Sequence, residues 1–482
     1  MIKNTHDIIG KDYQHTIIGA GPAGITLAIN LAKENKKVLL IEAGGWEFSE
    51  KSQKEYEGKV IGDSQYNIKH SRLRFFGGSS GHWGGMCRPL DTIDFSHFPI
   101  EKKDLNPYLK RSCDILEIPG GFNRDRRISK DFKQIEFQYS PPVRFNKKYR
   151  AYIEESKNID LVLNTSVLEI VESKKSNSAE FLKVVDNSNN FFNISVNKLI
   201  IACGGIENSR LLLWGQHINK KLFSSLTIGE YWMEHPHHMT GSFIMLNSVF
   251  DTIFDHSFKG KRGHVYIQPT DAVINNNNIG NAGIRLKYGK LPRNNLKDLV
   301  REVLCVNEEY GRELAELLDQ NLVCGSKVKA AWEQKPVKEN KVELDFNNKD
   351  NYGIPRVKLS WRVNNDDLRT ALVFMKKLGI LFIDKDIGTV GVNLRLKDEE
   401  TEQNGYGCCT IGGHHMGGTR MGDSSKNSVV DKNLKVFGVD NTWVLGSSVF
   451  SGGGHANPTL TVIQLSLRLA SHLNNTKNKI NL

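Results

Sequence analysis

The stretch from His15 to Glu42 constrains the fold of this chain more than any other segment. A short apolar run, Thr16–Ile18, enters the glycine-rich turn Gly19–Gly24, which reads Gly-Ala-Gly-Pro-Ala-Gly. A run with helical apolar periodicity follows, and a second apolar run, Val38–Ile41, ends at the acidic residue Glu42. This order of strand, glycine turn, helix, strand and acid is typical of a dinucleotide-binding βαβ unit.

The glycine spacing follows from the chemistry of a pyrophosphate group. Gly19 permits the tight turn, Gly21 lets the pyrophosphate approach the backbone, and Gly24 lets the helix pack closely on the strand. The N-terminus of the helix then faces the phosphates. Glu42 lies where it can accept hydrogen bonds from ribose hydroxyls, and no Arg or Lys replaces it to favour a 2′-phosphate. The unit alone predicts FAD or NAD without separating them.

Size and charge exclude some partners. The chain has 482 residues, which is enough for two or three domains with a large core. Its net charge of +11 is spread along the sequence, and no basic run carries interleaved aromatic residues, so we expect no nucleic-acid partner. We interpret the positive charge as a solvated surface. The alternative is electrostatic steering of an anionic substrate or an electron acceptor.

Cysteine usage and hydropathy indicate the compartment. Seven cysteines are few and odd in number, which favours free thiols in a reducing compartment. The first residues lack the apolar segment of a signal peptide, and no apolar run is long enough to cross a membrane. The sequence therefore predicts a cytoplasmic protein without a transmembrane segment.

Two further glycine-rich segments are candidates for ligand contact. The segment Arg72–Gly85 places His82 and Trp83 among five glycines and two serines, a composition that lets the backbone press against a flat ligand. The apolar run Lys198–Ala202 is followed by the turn Cys203–Gly205 and a helical segment. This second strand–turn–helix unit predicts that the nucleotide-binding domain resumes there.

The C-terminal region carries the strongest candidates for chemistry. His415 lies in one glycine-rich run, and His455 and Asn457 lie in a later one. Asn457 and Pro458 are typical of a helix N-cap and first helical residue. The positive end of such a helix stabilises negative charge in front of it, as on the N1–C2 carbonyl edge of a reduced flavin.

Clusters of histidine and cysteine raise the question of a metal site. Three histidines fall in the run His235–His238, and Cys408 and Cys409 precede His414 and His415. Neither group has the ligand spacing of a metal site. We therefore expect no bound metal.

Together these motifs resemble those of the glucose–methanol–choline (GMC) oxidoreductases over nearly the whole chain. The matching segments are Gly19–Gly24, Glu42–Gly45, Gly77–Ser80, Gly204–Leu212, Glu333–Gln334, Lys341–Val342, Asp350–Pro355, His415–Thr419 and Asn457–Thr461. Within the family, Gly81-His82-Trp83 and an Asn in place of a second catalytic His resemble the branch that contains pyranose 2-oxidase and related sugar oxidoreductases. Pyranose oxidases are larger than this chain, so their substrate and tetrameric state do not carry over.

The resemblance implies a mixed α/β fold of two domains. A Rossmann-like FAD-binding domain would be assembled from residues 1–85, 155–235 and 405–482. A substrate-binding domain with an antiparallel sheet and helices would comprise residues 86–154 and 236–404. The residues expected to bind FAD are Gly19, Gly21, Ala23, Gly24, Glu42, Ala43, Gly78, Ser79, His82, Trp83, Gly84, Gly85, Val167, Cys203, Gly204, Gly446, Asn457, Pro458 and Thr459.

The resemblance also implies an enzyme that oxidises an alcohol by hydride transfer to flavin N5. His415 would be the base that takes the hydroxyl proton, and Asn457 would hold the substrate oxygen. His455 is a rival for the catalytic role. His82 would lie against the flavin. A histidine at this position is covalently linked to the flavin in the pyranose-oxidase relatives, but contact without a covalent bond is the favoured expectation here.

The expected substrate is a sugar, glycoside or similar polyol, since Asn, Lys and His are frequent between residues 230 and 290. Oxidation of a sterol or other apolar alcohol is one alternative, and a non-catalytic flavin-binding role is another. The sequence leaves the electron acceptor open among oxygen, a quinone and a carrier protein. It also leaves the oligomeric state open.

Overall fold

The computed structural model of the chain describes residues 2–62, 67–219, 221–245, 264–287, 326–386, 388–392 and 410–475, together with residues 313 and 317. Cys408 and Cys409 lie outside the described residues. None of the helices within these ranges combines the length and the apolar character needed to cross a bilayer.

Five short strands form a parallel sheet around the glycine-rich turn. In sheet order they are β21 (Thr442–Val444), β12 (Leu199–Ile201), β1 (His15–Ile18), β2 (Val38–Ile41) and β8 (Ile159–Val162). All but one of their residues are buried, as expected for a parallel sheet covered on both faces. This explains why the strands are continuous apolar runs. The Rossmann-like domain predicted from the sequence is confirmed.

Helices α1 (Pro22–Lys33) and α4 (Phe145–Glu155) contact strands of this parallel sheet. Helices α3 (Lys102–Leu116), α5 (Gly204–Ile218) and α8 (Thr459–Asn475) contribute buried side chains to the same core, and the short α2 (Glu50–Gln53) follows β2. Helix α8 packs against α1 and α3, and the Gln464 side chain of α8 donates a hydrogen bond to the Leu105 carbonyl of α3 (3.0 Å). The last helix of the chain therefore closes the domain that the first βαβ unit opens.

A larger sheet forms a second core. Its order is β19 (Gly388–Val392), β13 (Pro236–Met245), β16 (Ser326–Trp332), β15 (Ala282–Lys287), β14 (His264–Pro269), β6 (Phe132–Gln134) and β5 (Arg126–Arg127), and β20 (Thr410–Ile411) pairs with β13. Neighbouring strands of this sheet are antiparallel. Helix α7 (Asn365–Asp384) packs its apolar side chains on one face of the sheet. Helix α6 (Asp271–Asn277) follows β14.

Three smaller sheets complete the described part of the chain. One contains β9 (Ser166–Glu172), β10 (Ala179–Val185) and β11 (Phe191–Ser195), and another contains β4 (Met86–Cys87) and β7 (Gln138–Tyr139). The third contains the hairpin of β17 (Lys341–Lys349) and β18 (Pro355–Trp361), with β3 (Gly58–Gly62) parallel to β18.

The segment 86–154 contributes to both cores. Strands β5 and β6 extend the larger sheet, whereas Leu105 and Leu116 of α3 are buried in the core around the parallel sheet. The mixed α/β fold, with a Rossmann-like domain and a second sheet-and-helix unit, is confirmed. The domain boundaries stay a prediction.

Candidate active site

A cavity of about 570 Å³ opens at the carboxyl ends of the parallel strands. Ligands of open α/β sheets bind at this edge, because the loops that follow the strands converge there. The predicted cofactor-binding residues that line the cavity are Gly19, Gly21, Ala23, Glu42, Ala43, Gly78, Ser79, His82, Trp83, Gly84, Gly85, Val167, Cys203, Gly204, Gly446, Asn457, Pro458 and Thr459. The structure thus brings together segments that are far apart in the sequence.

Gly24 lies behind the turn rather than on the cavity wall. A Cβ atom at this position would lie 2.0 Å from the Gly19 carbonyl oxygen. Gly19 itself has a φ of +100°, a backbone conformation that favours glycine. The two glycines therefore have the packing and turn roles that their spacing predicts, and the N-terminus of α1 stays open to the cavity.

Glu42 is buried at the end of β2, where its carboxylate is fixed by backbone donors. The backbone N–H groups of Ala20 and Gly44 donate to its two oxygens at 2.9 and 2.8 Å. Burial raises the pKa of Glu42, and these hydrogen bonds and the Arg74 charge oppose the shift. Each carboxylate oxygen retains a further acceptor site. The residue therefore fits the ribose hydroxyls of a dinucleotide.

The glycine loop that contains His82 and Trp83 is ordered by contacts to α4 and the residues before it. The Trp83 indole donates to the Val143 carbonyl (2.8 Å), and the Arg144 guanidinium donates to the carbonyls of Ser80 (2.6 Å) and Trp83 (3.0 Å). Burial and the Arg144 charge lower the pKa of His82. A neutral imidazole on the cavity wall, held on a fixed loop, fits contact with a flat ring.

The structure separates the three predicted catalytic residues. His415 and Asn457 both line the cavity, and His455 does not. His455 is buried behind the cavity, where its ring lies 5.9 Å from that of Phe137 and its Nε2 lies 3.5 Å from Asp91 Oδ2. His415 and Asn457 are therefore the pair that can meet one substrate.

Asn457 does not occupy the helix position that its sequence predicts. Helix α8 begins at Thr459, and the Pro458 carbonyl accepts the first helical hydrogen bond, from Val462 (2.9 Å). Pro458 is thus the cap residue, and Asn457 precedes it. The Asn457 amide is held instead by His414, since its Nδ2 lies 2.9 Å from His414 Nε2.

Two further histidines, His414 and His235, continue this contact into a chain of hydrogen bonds, and no sequence motif indicates a functional role for them. His414 Nδ1 lies 2.9 Å from His235 Nδ1, and His235 Nε2 lies 3.1 Å from the Gly453 carbonyl. Because a carbonyl only accepts, His235 Nε2 carries its proton and His235 Nδ1 accepts. His414 therefore donates from Nδ1 and accepts the Asn457 amide at Nε2.

The interior keeps this chain neutral. Burial lowers the pKa of His235 to about 4 and that of His414 well below its ordinary value. Beneath it, one carboxyl oxygen of Glu234 accepts hydrogen bonds from the backbone N–H groups of His235 (3.0 Å) and His414 (2.9 Å). Burial raises the pKa of Glu234 to about 8. At neutral pH both imidazoles are uncharged, so the direction of the Asn457 amide is fixed.

His415 lies on the other side of Glu234. Its Nε2 is 3.9 Å from Glu234 Oε1, and its ring lies 5.8 Å from that of Trp232. Burial lowers the pKa of His415 to about 3, and the charges of Arg72 and His82 add to this shift. In the part of the chain that the structure describes, no cluster of three or more His, Cys, Asp or Glu side chains is arranged to hold a metal.

Comparison with known proteins identifies similar chains. A family model described as GMC oxidoreductase matches residues 336–466, and one described as an NAD(P)-binding Rossmann-like domain matches residues 17–87. Residues 336–466 are therefore similar to the GMC oxidoreductases. The Rossmann-like match covers the turn and Glu42, and the hydrogen bonds around Glu42 fit the ribose of a dinucleotide.

Two curated relatives match over nearly the full length. The 2-methyl-1,2-propanediol dehydrogenase of Mycolicibacterium austroafricanum is 21% identical, and the alignment covers 95% of this chain and 94% of the relative. The fructose dehydrogenase large subunit of Gluconobacter japonicus is 24% identical, and the alignment covers 95% of this chain and 97% of that relative.

Solved structures share the fold. Pyridoxine 4-oxidase from Mesorbium loti aligns with a TM-score of 0.62 at 12% identity and covers 96% of this chain and 99% of that chain. Formate oxidase of Aspergillus oryzae aligns with a TM-score of 0.57 at 16% identity, and the alignment covers 98% of this chain and 99% of that chain. At these identities the likeness shows the fold alone.

The histidine chain generates a first prediction. His414→Phe keeps a flat ring but removes the acceptor that holds the Asn457 amide. We expect anaerobic flavin reduction by an oxidisable alcohol to slow by about 3- to 10-fold, the effect of one neutral hydrogen bond. FAD content should be unchanged. Stopped-flow absorbance measures the rate, and His217→Phe, at an exposed histidine, is the matched control. A His414→Phe rate equal to that of the wild type would show that the contact does not orient Asn457.

Proposed function

We propose that this protein is an FAD-dependent oxidoreductase that oxidises the CH–OH group of a sugar, glycoside or similar polyol to a carbonyl. The observation that carries the proposal is that His415 and Asn457 line the same cavity as the dinucleotide-binding turn. The names of the two curated relatives, a diol dehydrogenase and a fructose dehydrogenase, agree with an alcohol or sugar substrate.

The residues that would hold FAD are those of the cavity wall. The N-terminus of α1 would bind the pyrophosphate, Glu42 would accept hydrogen bonds from the ribose hydroxyls, and the loop at Gly78–Gly85 together with the start of α8 would contact the ring. FAD bound there supplies the hydride acceptor. The free N–H groups at the start of α8 place a partial positive charge in front of Asn457, where negative charge on the ring is stabilised.

His415 is the proposed base. Oxidation of an alcohol removes a hydride from carbon and a proton from oxygen, and an alkoxide is costly in a water-poor cavity, so a base must contact the hydroxyl. Burial keeps the His415 imidazole neutral across the physiological range, and the neutral form is the one that can accept a proton. The Glu234 carboxyl lies 3.9 Å from His415 Nε2, and because its pKa is raised to about 8 it would offset the charge of the imidazolium only by losing its own proton.

Asn457 is proposed to position the substrate oxygen. One of its two amide N–H groups is directed at His414, and the second remains to donate to the oxygen as it becomes a carbonyl. Since His414 and His235 fix the amide, this donor is already oriented before substrate binds. The pyranose 2-oxidase-like branch and the cytoplasmic location stay predictions.

Substitution of the candidate base tests this assignment. His415→Ala should slow anaerobic flavin reduction by roughly 10²–10⁴-fold, the usual loss when a general base is removed. Asn457→Ala should slow flavin reduction less, because it removes a group that orients the substrate oxygen and leaves the base in place. His455→Ala, at the residue behind the cavity, should leave the chemical step nearly unchanged. Stopped-flow reduction of the three variants, each with its FAD content measured, separates the roles. A near-native rate in His415→Ala together with a lost rate in His455→Ala would assign the base to His455 instead.

The link between His82 and the cofactor has its own test. The solvent-exposed His82 imidazole on the cavity wall suits contact with the ring, and we propose that no covalent bond forms. Acid precipitation of the purified yellow protein should leave a white pellet and a yellow supernatant. A yellow pellet that turns white in His82→Ala would show a covalent bond through this residue.

A further inference from the structure

The larger sheet turns a positively charged face toward the candidate active site. Successive side chains of a strand point to opposite faces, and the apolar residues of β15 and β16 pack in the core beneath α7. Arg285 of β15 and Lys329 of β16 therefore project from the other face. Gly283 shares that face and lies against His455, since a Cβ at Gly283 would be 2.8 Å from His455 Nδ1.

Arg285 and Lys329 are directly opposite each other in the antiparallel register. Such a pair brings the two Cβ atoms within about 5 Å, and like charges at that distance destabilise a sheet. Both residues are half-buried. Burial and the Arg285 charge lower the pKa of the Lys329 ammonium. Across the described residues, no carboxylate forms an ion pair with either side chain, so the repulsion has no compensating partner there.

The acidic side chains near His455 are already engaged. Asp91 forms an ion pair with Arg88 (2.9 Å), and Glu333 accepts the backbone N–H of Gly454 (3.0 Å). Among the described residues, neither carboxylate forms an ion pair with Arg285 or Lys329. The charge of Arg285 and Lys329 is therefore available to a ligand.

His237 connects the charged pair to the cavity. In the register of β13 and β16, His237 is opposite Ala331, which is itself opposite Gly283, so His237 shares the charged face. Its ring lies 5.9 Å from that of His414, which lines the cavity. Burial lowers the pKa of His237 to about 3, and the neighbouring His235, Lys329 and Arg285 lower it further. A surface of neutral imidazoles thus leads from His414 in the cavity wall to the positively charged pair on the sheet.

We propose that Arg285 and Lys329 bind an anionic group, a phosphate or a carboxylate, of the alcohol that the enzyme oxidises. A guanidinium binds either anion with two parallel hydrogen bonds, and a lysine beside it adds a point charge. The anion relieves the repulsion across the strand pair. The hydroxyl to be oxidised then lies toward His415 and Asn457. This inference rests on the proposed function and names the substrate class as a charged sugar or polyol rather than a neutral one.

Ligand binding to the oxidised holoenzyme tests the proposal without turnover. Glucose, glucuronate and glucose 6-phosphate form a matched set, and the flavin absorbance reports their binding. At least one of the two anions should bind about 10- to 100-fold more tightly than glucose, the effect of charge-assisted hydrogen bonds. The preference should decrease as salt is added. The anion that gains affinity distinguishes a phosphate site from a carboxylate site.

Single substitutions then test whether Arg285 and Lys329 cause the preference for an anionic sugar. Arg285→Gln and Lys329→Gln should each remove most of the preference and leave the affinity for glucose unchanged. Lys426→Gln, at an exposed loop lysine, should keep it. Indistinguishable binding of the three sugars, or a preference that survives both substitutions, would overturn the anion site. Anion binding without flavin reduction by any alcohol would contradict the proposed function and leave the anion site standing. Flavin reduction by sugars without a preference for the anions would support the proposed function and contradict the anion site.

Discussion

The close approach of helix α1 to strand β1 is the constraint on which the candidate site depends. With a Cβ at Gly24 only 2.0 Å from the Gly19 carbonyl, no other residue fits there without moving the helix. The approach leaves the first backbone N–H groups of the helix facing the cavity. Glu42 binds the Ala20 and Gly44 amides and so joins the end of β2 to the turn. Backbone contacts, rather than mobile side chains, define the base of the cavity.

The hydrogen-bond chain from Asn457 to Gly453 defines the other side of the cavity. It connects the segment before α8 to His235, the residue that precedes the larger sheet at β13. Because burial keeps both histidines neutral, each has one donor and one acceptor, and the chain has a single direction. Glu234 ties the backbone of both histidines together beneath it. The same carboxyl group faces His415, so the proposed base and the proposed orienting amide share one support.

The sequence predicts the Rossmann-like domain well because its signal is local. A glycine turn between two apolar runs needs no distant contact to be recognised, and the segments named from it do meet at one cavity. His414 and His235 could not be predicted as partners, since their contact is set by tertiary packing. Asn457 carried a strong capping signal, but the bond to His414 holds its side chain instead. His455 is a histidine like His415 and lies two residues before Asn457 in the sequence. Only the fold shows that it lies behind the cavity. The face of Arg285 and Lys329 depends on strand register, which apolar alternation alone did not reveal.

Identification of the bound cofactor tests the central claim most directly. The account holds that the cavity at the carboxyl ends of the parallel strands binds FAD through Glu42 and the turn at Gly19. Mass spectrometry of the nucleotide in purified wild-type protein and in Glu42→Ala, after the same extensive dialysis, measures this. About one FAD per chain in the wild type and a large loss of FAD in Glu42→Ala is the predicted result. A wild-type protein that carries NAD or no nucleotide, or a Glu42→Ala variant that retains FAD as the wild type does, would contradict the account.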